Sequence, residues 1–132
     1  MKKIFPIILI LLFISACRHQ GLEKIILNKE NHLTENQIEQ AMDTVTTYFY
    51  ENSSFGDKLI DISYDSDKEK EFWKHNKLPK EVVNESDKIV LFSTYKAGKY
   101  RTAATPDAIY ENYMYILTKT NSNDWEIIDQ GY

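Results

Sequence analysis

Hydrophobic and polar positions along the chain fall into short segments, each with its own period. Thr34-Glu35-Asn36-Gln37 has the spacing of a capping box, and Leu33 and Ile38 take the flanking positions of a hydrophobic staple. Behind them Ile38, Ala41, Met42, Val45 and Phe49 recur at helical spacing, so the pattern predicts an amphipathic helix from 35 to about 50, packed on something flat. Lys58 to Tyr64 alternates Ile60, Ile62 and Tyr64 with Asp61 and Ser63, the pattern of a half-buried strand. A second capping box, Ser66-Asp67-Lys68-Glu69, predicts a short helix carrying Phe72 and Trp73 and ended by Pro79.

Three further strands follow. Lys88 to Lys96 is apolar on both faces in its first half, which places it inside a sheet. Tyr110 to Thr120 and Trp125 to Tyr132 flank Asn121-Ser122-Asn123-Asp124, turn chemistry suited to an antiparallel hairpin. Leu22 to Asn28 reads equally as an edge strand or the start of a helix. The order predicts an α+β domain with N-terminal helices packed on one side of a curved antiparallel sheet. In the last strand a period of two puts Asp129 on the same face as Trp125 and Ile127. A carboxylate there is expected to accept bonds from backbone amides or tyrosine hydroxyls at the end of the sheet.

The first residues follow other rules. Lys2 and Lys3 precede eleven residues, Ile4 to Ile14, without charge or a hydrogen-bonding side chain. A bilayer-spanning helix takes about 20 apolar residues, so the run has the layout of a secretory signal instead: positive, apolar, then small. Ser15 and Ala16 are the small residues, and Cys17, the single cysteine, follows them. Ile14-Ser15-Ala16-Cys17 resembles the lipobox of bacterial lipoproteins, with isoleucine where leucine is commoner. That resemblance implies cleavage before Cys17 and a diacylglyceryl group on its sulfur, with acyl chains of the palmitate type. A lone thiol in a secreted chain has no disulfide partner, and two acyl chains suffice for stable anchoring where one does not. The chain divides accordingly into a signal peptide, residues 1–16; the lipidated cysteine with a tether and a possible first element, residues 17–33; and one α+β domain, residues 34–132.

Loss of the signal removes Lys2 and Lys3, leaving 14 basic against 20 acidic side chains. Such a domain lacks the clustered Lys and Arg that phosphate backbones require, so nucleic acid is excluded as a partner. Asp65, Asp67 and Glu69 invite comparison with a calcium loop, but Lys70 and Asn76 stand where that loop needs glycine and a carboxylate. These acids read as a solvated helix start favoured by the helix dipole. His19, His32 and His75 have no metal-ligand spacing and read as surface residues. No metal or cofactor is expected, and no nucleophile elbow, P-loop or zincin motif occurs.

From residue 34 to 132 the domain resembles a family of small Gram-positive lipoproteins of uncharacterised activity, the domain of unknown function 4829. The resemblance rests on Tyr48-Phe49, Gly56-Asp57-Lys58-Leu59, Tyr64-Asp65, Ser93-Thr94-Tyr95, Tyr110-Glu111-Asn112-Tyr113, and Trp125 followed by Asp129-Gln130-Gly131-Tyr132. Asp57, Thr94, Tyr113 and Gln130 depart from the family pattern. The resemblance implies a cone like that of nuclear transport factor 2, the cystatin-like architecture. The resulting expectation is a lipoprotein on the extracytoplasmic face of the cell membrane, binding a small molecule or an envelope protein. An isomerase- or hydrolase-like enzyme and a structural or inhibitory partner of an envelope complex are the alternatives. Asp61, Glu111, Tyr113 and Asp129 are the pocket candidates; no catalytic set is visible.

Cys17→Ser is expected to leave the chain uncleaved or free of the membrane, since the acyl chains supply the anchor. Detergent-phase partitioning checks it: equal partitioning of wild type and variant as mature-sized protein excludes the lipoprotein assignment.

Overall fold

Thr34 opens the longer helix in the way its capping pattern predicts. In a computed structural model of the protein, which describes residues 21–29, 33–77, 88–99 and 105–132, Thr34 Oγ1 accepts from the Gln37 amide at 3.2 Å. Gln37 Oε1 accepts in return from the Thr34 amide at 2.9 Å. The helix, α1, runs Glu35–Asn52 and buries Ile38, Ala41, Met42, Val45 and Phe49. Leu33, the staple residue, is buried in the same core. Each such side chain contributes at most about 1.5–3 kcal/mol, so this stripe is a principal source of the domain's stability.

The sheet takes five strands in sequence order: β1 Glu23–Leu27, β2 Lys58–Asp65, β3 Lys88–Lys96, β4 Ile109–Lys119 and β5 Trp125–Gly131. β2 to β5 are antiparallel neighbours, β4 and β5 as the turn chemistry between them predicts. β1 runs parallel to β2, from Glu23 opposite Asp61 to Leu27 opposite Asp65. The sheet is therefore mixed, which corrects the all-antiparallel expectation. The undecided segment near Leu22 is a strand, and because α1 carries the chain across before β2, the two strands point the same way. Five residues with one exposed edge were too short for a period to show.

A second correction concerns the helices. α1 packs against the face that carries Ile62, Tyr64, Ile89, Leu91, Tyr115 and Leu117. The second helix, α2 Ser66–His75, contacts the opposite face. Lys68 Nζ lies 4.6 Å from the centre of the Phe92 ring, and Lys88 Nζ lies 4.0 Å from that of Trp73. Lys88 and Phe92 alternate with Ile89 and Leu91 along β3, so the two helices sandwich the sheet. For that reason Lys88 to Leu91 are all buried.

The second capping box does not form. Asp65 is the N-cap, its Oδ1 accepting from the Asp67 amide at 3.0 Å, and the Ser66 hydroxyl donates to the Asn28 carbonyl. Glu69 is buried rather than solvated, and its carboxylate accepts from the Val90 amide at 2.9 Å. Pairing between β2 and β3 ends at Ser63 opposite Phe92, so the Val90 amide lies past its strand partner and a helix side chain replaces it. α2 ends at His75 with Asn76 as C-cap; Pro79 lies outside the described residues.

Glu69→Ala is expected to cost about 2 kcal/mol, because it leaves the buried Val90 amide without an acceptor. Glu69→Gln retains an oxygen and is expected to cost less. Denaturant unfolding of both variants checks it; two curves superimposed on wild type exclude the role.

Candidate functional site

Three irregularities in strand pairing build the site. On β2, Leu59 stands opposite Tyr95 and Asp61 opposite Thr94, so Ile60 is an extra residue. Leu59 therefore joins the buried face with Ile62 and Tyr64, and Ile60 is only half-buried. The Leu59 amide finds the Tyr50 hydroxyl at 3.2 Å. On β4, Tyr113 opposes Ser93 while Tyr110 opposes Tyr95, one residue more than β3 supplies. Asn112 absorbs it at φ 58°, a left-handed conformation that asparagine tolerates better than most residues. On β5, Ile127 opposes Leu117 and Asp129 opposes Ile116, leaving Ile128 as the extra residue.

Each bulge turns the side chains beyond it to the other face. Tyr110 and Tyr113, which strict alternation would separate, both lie against Tyr95, with ring centres 5.1 Å and 5.7 Å away. Gln130 pairs with Tyr115 on the α1 side of the sheet, and Asp129 is sent to the other side. The rings form one continuous series. Tyr113 meets Tyr115 at 5.3 Å, Tyr115 meets Tyr48 of α1 at 6.4 Å, and Tyr95 meets Phe49 at 5.7 Å.

Between these rings is a cleft of about 160 Å³. Tyr48, Phe49, Asn52 and Ser53 line it from the end of α1, Tyr95, Tyr113 and Tyr115 from the sheet, and Gln130 and Asp57 complete it. Gln130 spans the opening: its Nε2 donates to the Tyr48 hydroxyl at 2.6 Å, and its Oε1 accepts from the Tyr113 hydroxyl at 3.5 Å. Asp57 is buried and accepts from the Ser54 amide at 3.1 Å and the Gly98 amide at 2.8 Å. It thereby ties the α1–β2 loop to the end of β3. Position 98 has to be glycine, since a Cβ there would lie 2.5 Å from the Phe55 carbonyl oxygen.

Among the described residues no Lys, Arg or His lines this cleft. A shallower groove between α1 and β5 shares Tyr48 with it and is lined by Asp43, Glu51, Glu126 and Trp125. Tyr115 is buried; desolvation first, then the neighbouring Tyr113, Tyr48 and Tyr95, raise its pKa above the ordinary tyrosine value of 10.0. At neutral pH it is a phenol, able to donate a hydrogen bond.

Of the expected pocket residues, only Tyr113 lies in the cleft. Asp61 is half-buried on β2 opposite Thr94, away from α1. Glu111 is exposed in the β4 bulge. Asp129 is exposed on the far side of β5, and its Oδ1 accepts from the adjacent Gln130 amide at 2.8 Å. The expectation that it shares a face with Trp125 and Ile127 is thus overturned by the bulge at Ile128. Cys17, His19 and His32 lie outside the described residues; His75 is exposed beside Glu71. The cleft residues that sequence reasoning missed are Tyr48, Tyr95, Tyr115, Asp57 and Gln130. The one available signal was the spacing of Tyr113 and Tyr115 on a strand that follows another tyrosine-bearing strand. Among the described residues, no group of His, Cys, Asp and Glu is arranged to hold a metal ion, and no helix is long and apolar enough to cross a membrane. No family model matches the sequence, and no curated protein or solved structure matches it at a significant level.

The Tyr115 environment predicts a pH dependence. Its folded-state pKa lies above that of the unfolded chain, so its contribution to stability is complete below pH 10.0 and is lost as pH rises toward the folded-state value. Tyr115→Phe keeps the ring without the ionisable group and is expected to flatten the alkaline limb of a stability–pH profile. Equal alkaline slopes in the two proteins exclude this assignment.

Proposed function

We propose that this protein is a lipoprotein held on the extracytoplasmic face of the cell membrane through Cys17, whose folded domain binds a small molecule in the tyrosine-walled cleft. The cleft is the observation that carries the binding half of the proposal. Ligand sites are concave, largely apolar or aromatic, and contain a few placed polar groups, and this one has five aromatic lining residues with the Gln130 amide bridging two of them. The lipobox resemblance at residues 14–17 carries the anchoring half, and the wider likeness to small Gram-positive lipoproteins points the same way. The finer architecture we attach to the domain is a cystatin-like cone, with bulged β2, β4 and β5 bending around α1.

Binding is preferred to catalysis on the chemistry of the lining groups. A general base needs a free acceptor with a pKa near the working pH. Asp57, the one carboxylate on the cleft among the described residues, already accepts from two backbone amides. Tyr115 is shifted upward, away from the range in which a phenol becomes a base. Fold likeness to isomerases adds nothing to this balance.

A fragment screen by ligand-observed NMR on the full-length protein in detergent tests the proposal. Bound fragments are expected to be lost on Gln130→Ala and kept within about twofold on Asp129→Ala, since only Gln130 faces the cleft. If both variants melt like wild type and no fragment is sensitive to Gln130→Ala, the cleft is not the binding site.

A further inference from the structure

We propose that the cleft selects a compact alkylated ammonium ion, a cation whose nitrogen carries methyl groups in place of hydrogens. The inference rests on the small-molecule proposal above and adds the chemical class of the ligand. Four observations carry it.

The first is the wall material. Tyr48, Tyr95, Tyr113 and Tyr115 line one cavity, and successive rings meet at interplanar angles of 77°, 63° and 88°. With walls near right angles, a guest between them meets ring faces as well as edges. Ring faces carry negative electrostatic potential and attract cations placed within about 6 Å of their centres. The second is the field. Among the described residues the cleft has no basic lining residue and one carboxylate, and the adjoining groove brings Glu51 and Glu126, with Asp43 paired to Lys24 at 2.5 Å. Among these lining residues an anionic guest would find no counter-charge.

The third is the state of the polar atoms. Asp57 holds two backbone amides, and Gln130 is engaged at both ends by Tyr48 and Tyr113. A primary ammonium brings three N–H donors, each needing an acceptor; an alkylated ammonium brings none and loses nothing by contact with rings. The fourth is size. About 160 Å³ equals roughly five waters at their liquid volume, enough to hold a head group of several heavy atoms between the rings.

The test titrates the full-length protein, in a sugar-headed detergent, with choline, with its neutral carbon isostere dimethylbutanol, and with phosphocholine, following tyrosine ring signals by NMR. Choline is expected to saturate and to bind about tenfold more tightly than the isostere, the difference being the cation–π attraction. Phosphocholine, the lipid head-group form, is expected to bind more weakly than choline because its phosphate meets an acidic rim. Tyr113→Leu should lose most of the choline affinity, and Tyr113→Phe, which keeps the ring, should stay within about twofold of wild type. Equal or tighter binding of the isostere overturns the cation proposal and leaves a small-molecule site standing. Phosphocholine binding at least as tightly as choline overturns it as well. If none of the three probes moves the cleft signals, the cation proposal fails. The binding function itself is then decided by the separate fragment screen with Gln130→Ala.

Discussion

Strand register is the constraint on which the cleft depends. Side chains alternate with a period of two, so one extra residue reassigns every position beyond it to the opposite face. Here β2 and β4 each gain a residue against β3 within the half of the sheet near Tyr95, and β5 gains one against β4 beside Ile116 and Leu117. Without the β4 bulge, Tyr110 and Tyr113 would lie on different faces. Without that on β5, a carboxylate would stand where Gln130 now joins Tyr48. The ring cluster is therefore a property of the mismatches between strands as much as of the tyrosines.

Such irregular pairing is tolerable because the other end of the domain is clamped and its β3–β4 pairing is regular. At that end α1 begins with a reciprocal cap, Leu33 and Ile38 enter the core, and Trp125 Nε1 donates to the Gln37 carbonyl at 3.0 Å. From Lys88 to Leu91, β3 pairs without interruption with β4, while α2 supplies Glu69 to the amide that β2 leaves unmet. Rigid packing at one end of α1 and ring-lined space at the other divide the domain into a scaffold and a site along a single helix.

This division also explains what was legible in the residues. α1 was, because its capping box and five-position stripe report a local rule that tertiary structure had no reason to override. β3 was placed inside the sheet because double-sided burial needs apolar residues at consecutive positions. α2 was found with the wrong cap: Ser66 and Glu69 have capping spacing, but both side chains serve other strands, Ser66 at Asn28 and Glu69 at Val90. Those partners are 38 and 21 residues away, beyond what local spacing can encode. The same holds for the site. Alternation counted along β5 put Asp129 inward, and nothing within "WEIIDQGY" announces that Ile128 is surplus, since a bulge is a relation between two strands. For the β4 bulge Asn112 offered a hint, as a residue that accepts positive φ in the middle of a strand pattern.

Anchoring and ligand class, both proposals, bear on each other physically. On the anchoring proposal, six residues between Cys17 and the start of β1 could span at most about 20 Å, some two screening lengths at physiological ionic strength, where that length is about 8 Å. An acidic domain anchored at that distance would feel little repulsion from an anionic lipid surface, so such a tether would hold it close without pressing it down. The same surface enriches cations in the layer beneath it and depletes anions. A cleft without basic residues, whose walls attract positive charge, would then draw on the ion that its surroundings concentrate. A basic domain on the same tether would lie against the lipid and cover its own surface. On these two proposals the excess of carboxylates has a consequence apart from solubility: nothing draws the folded domain down onto the lipid to cover its cleft.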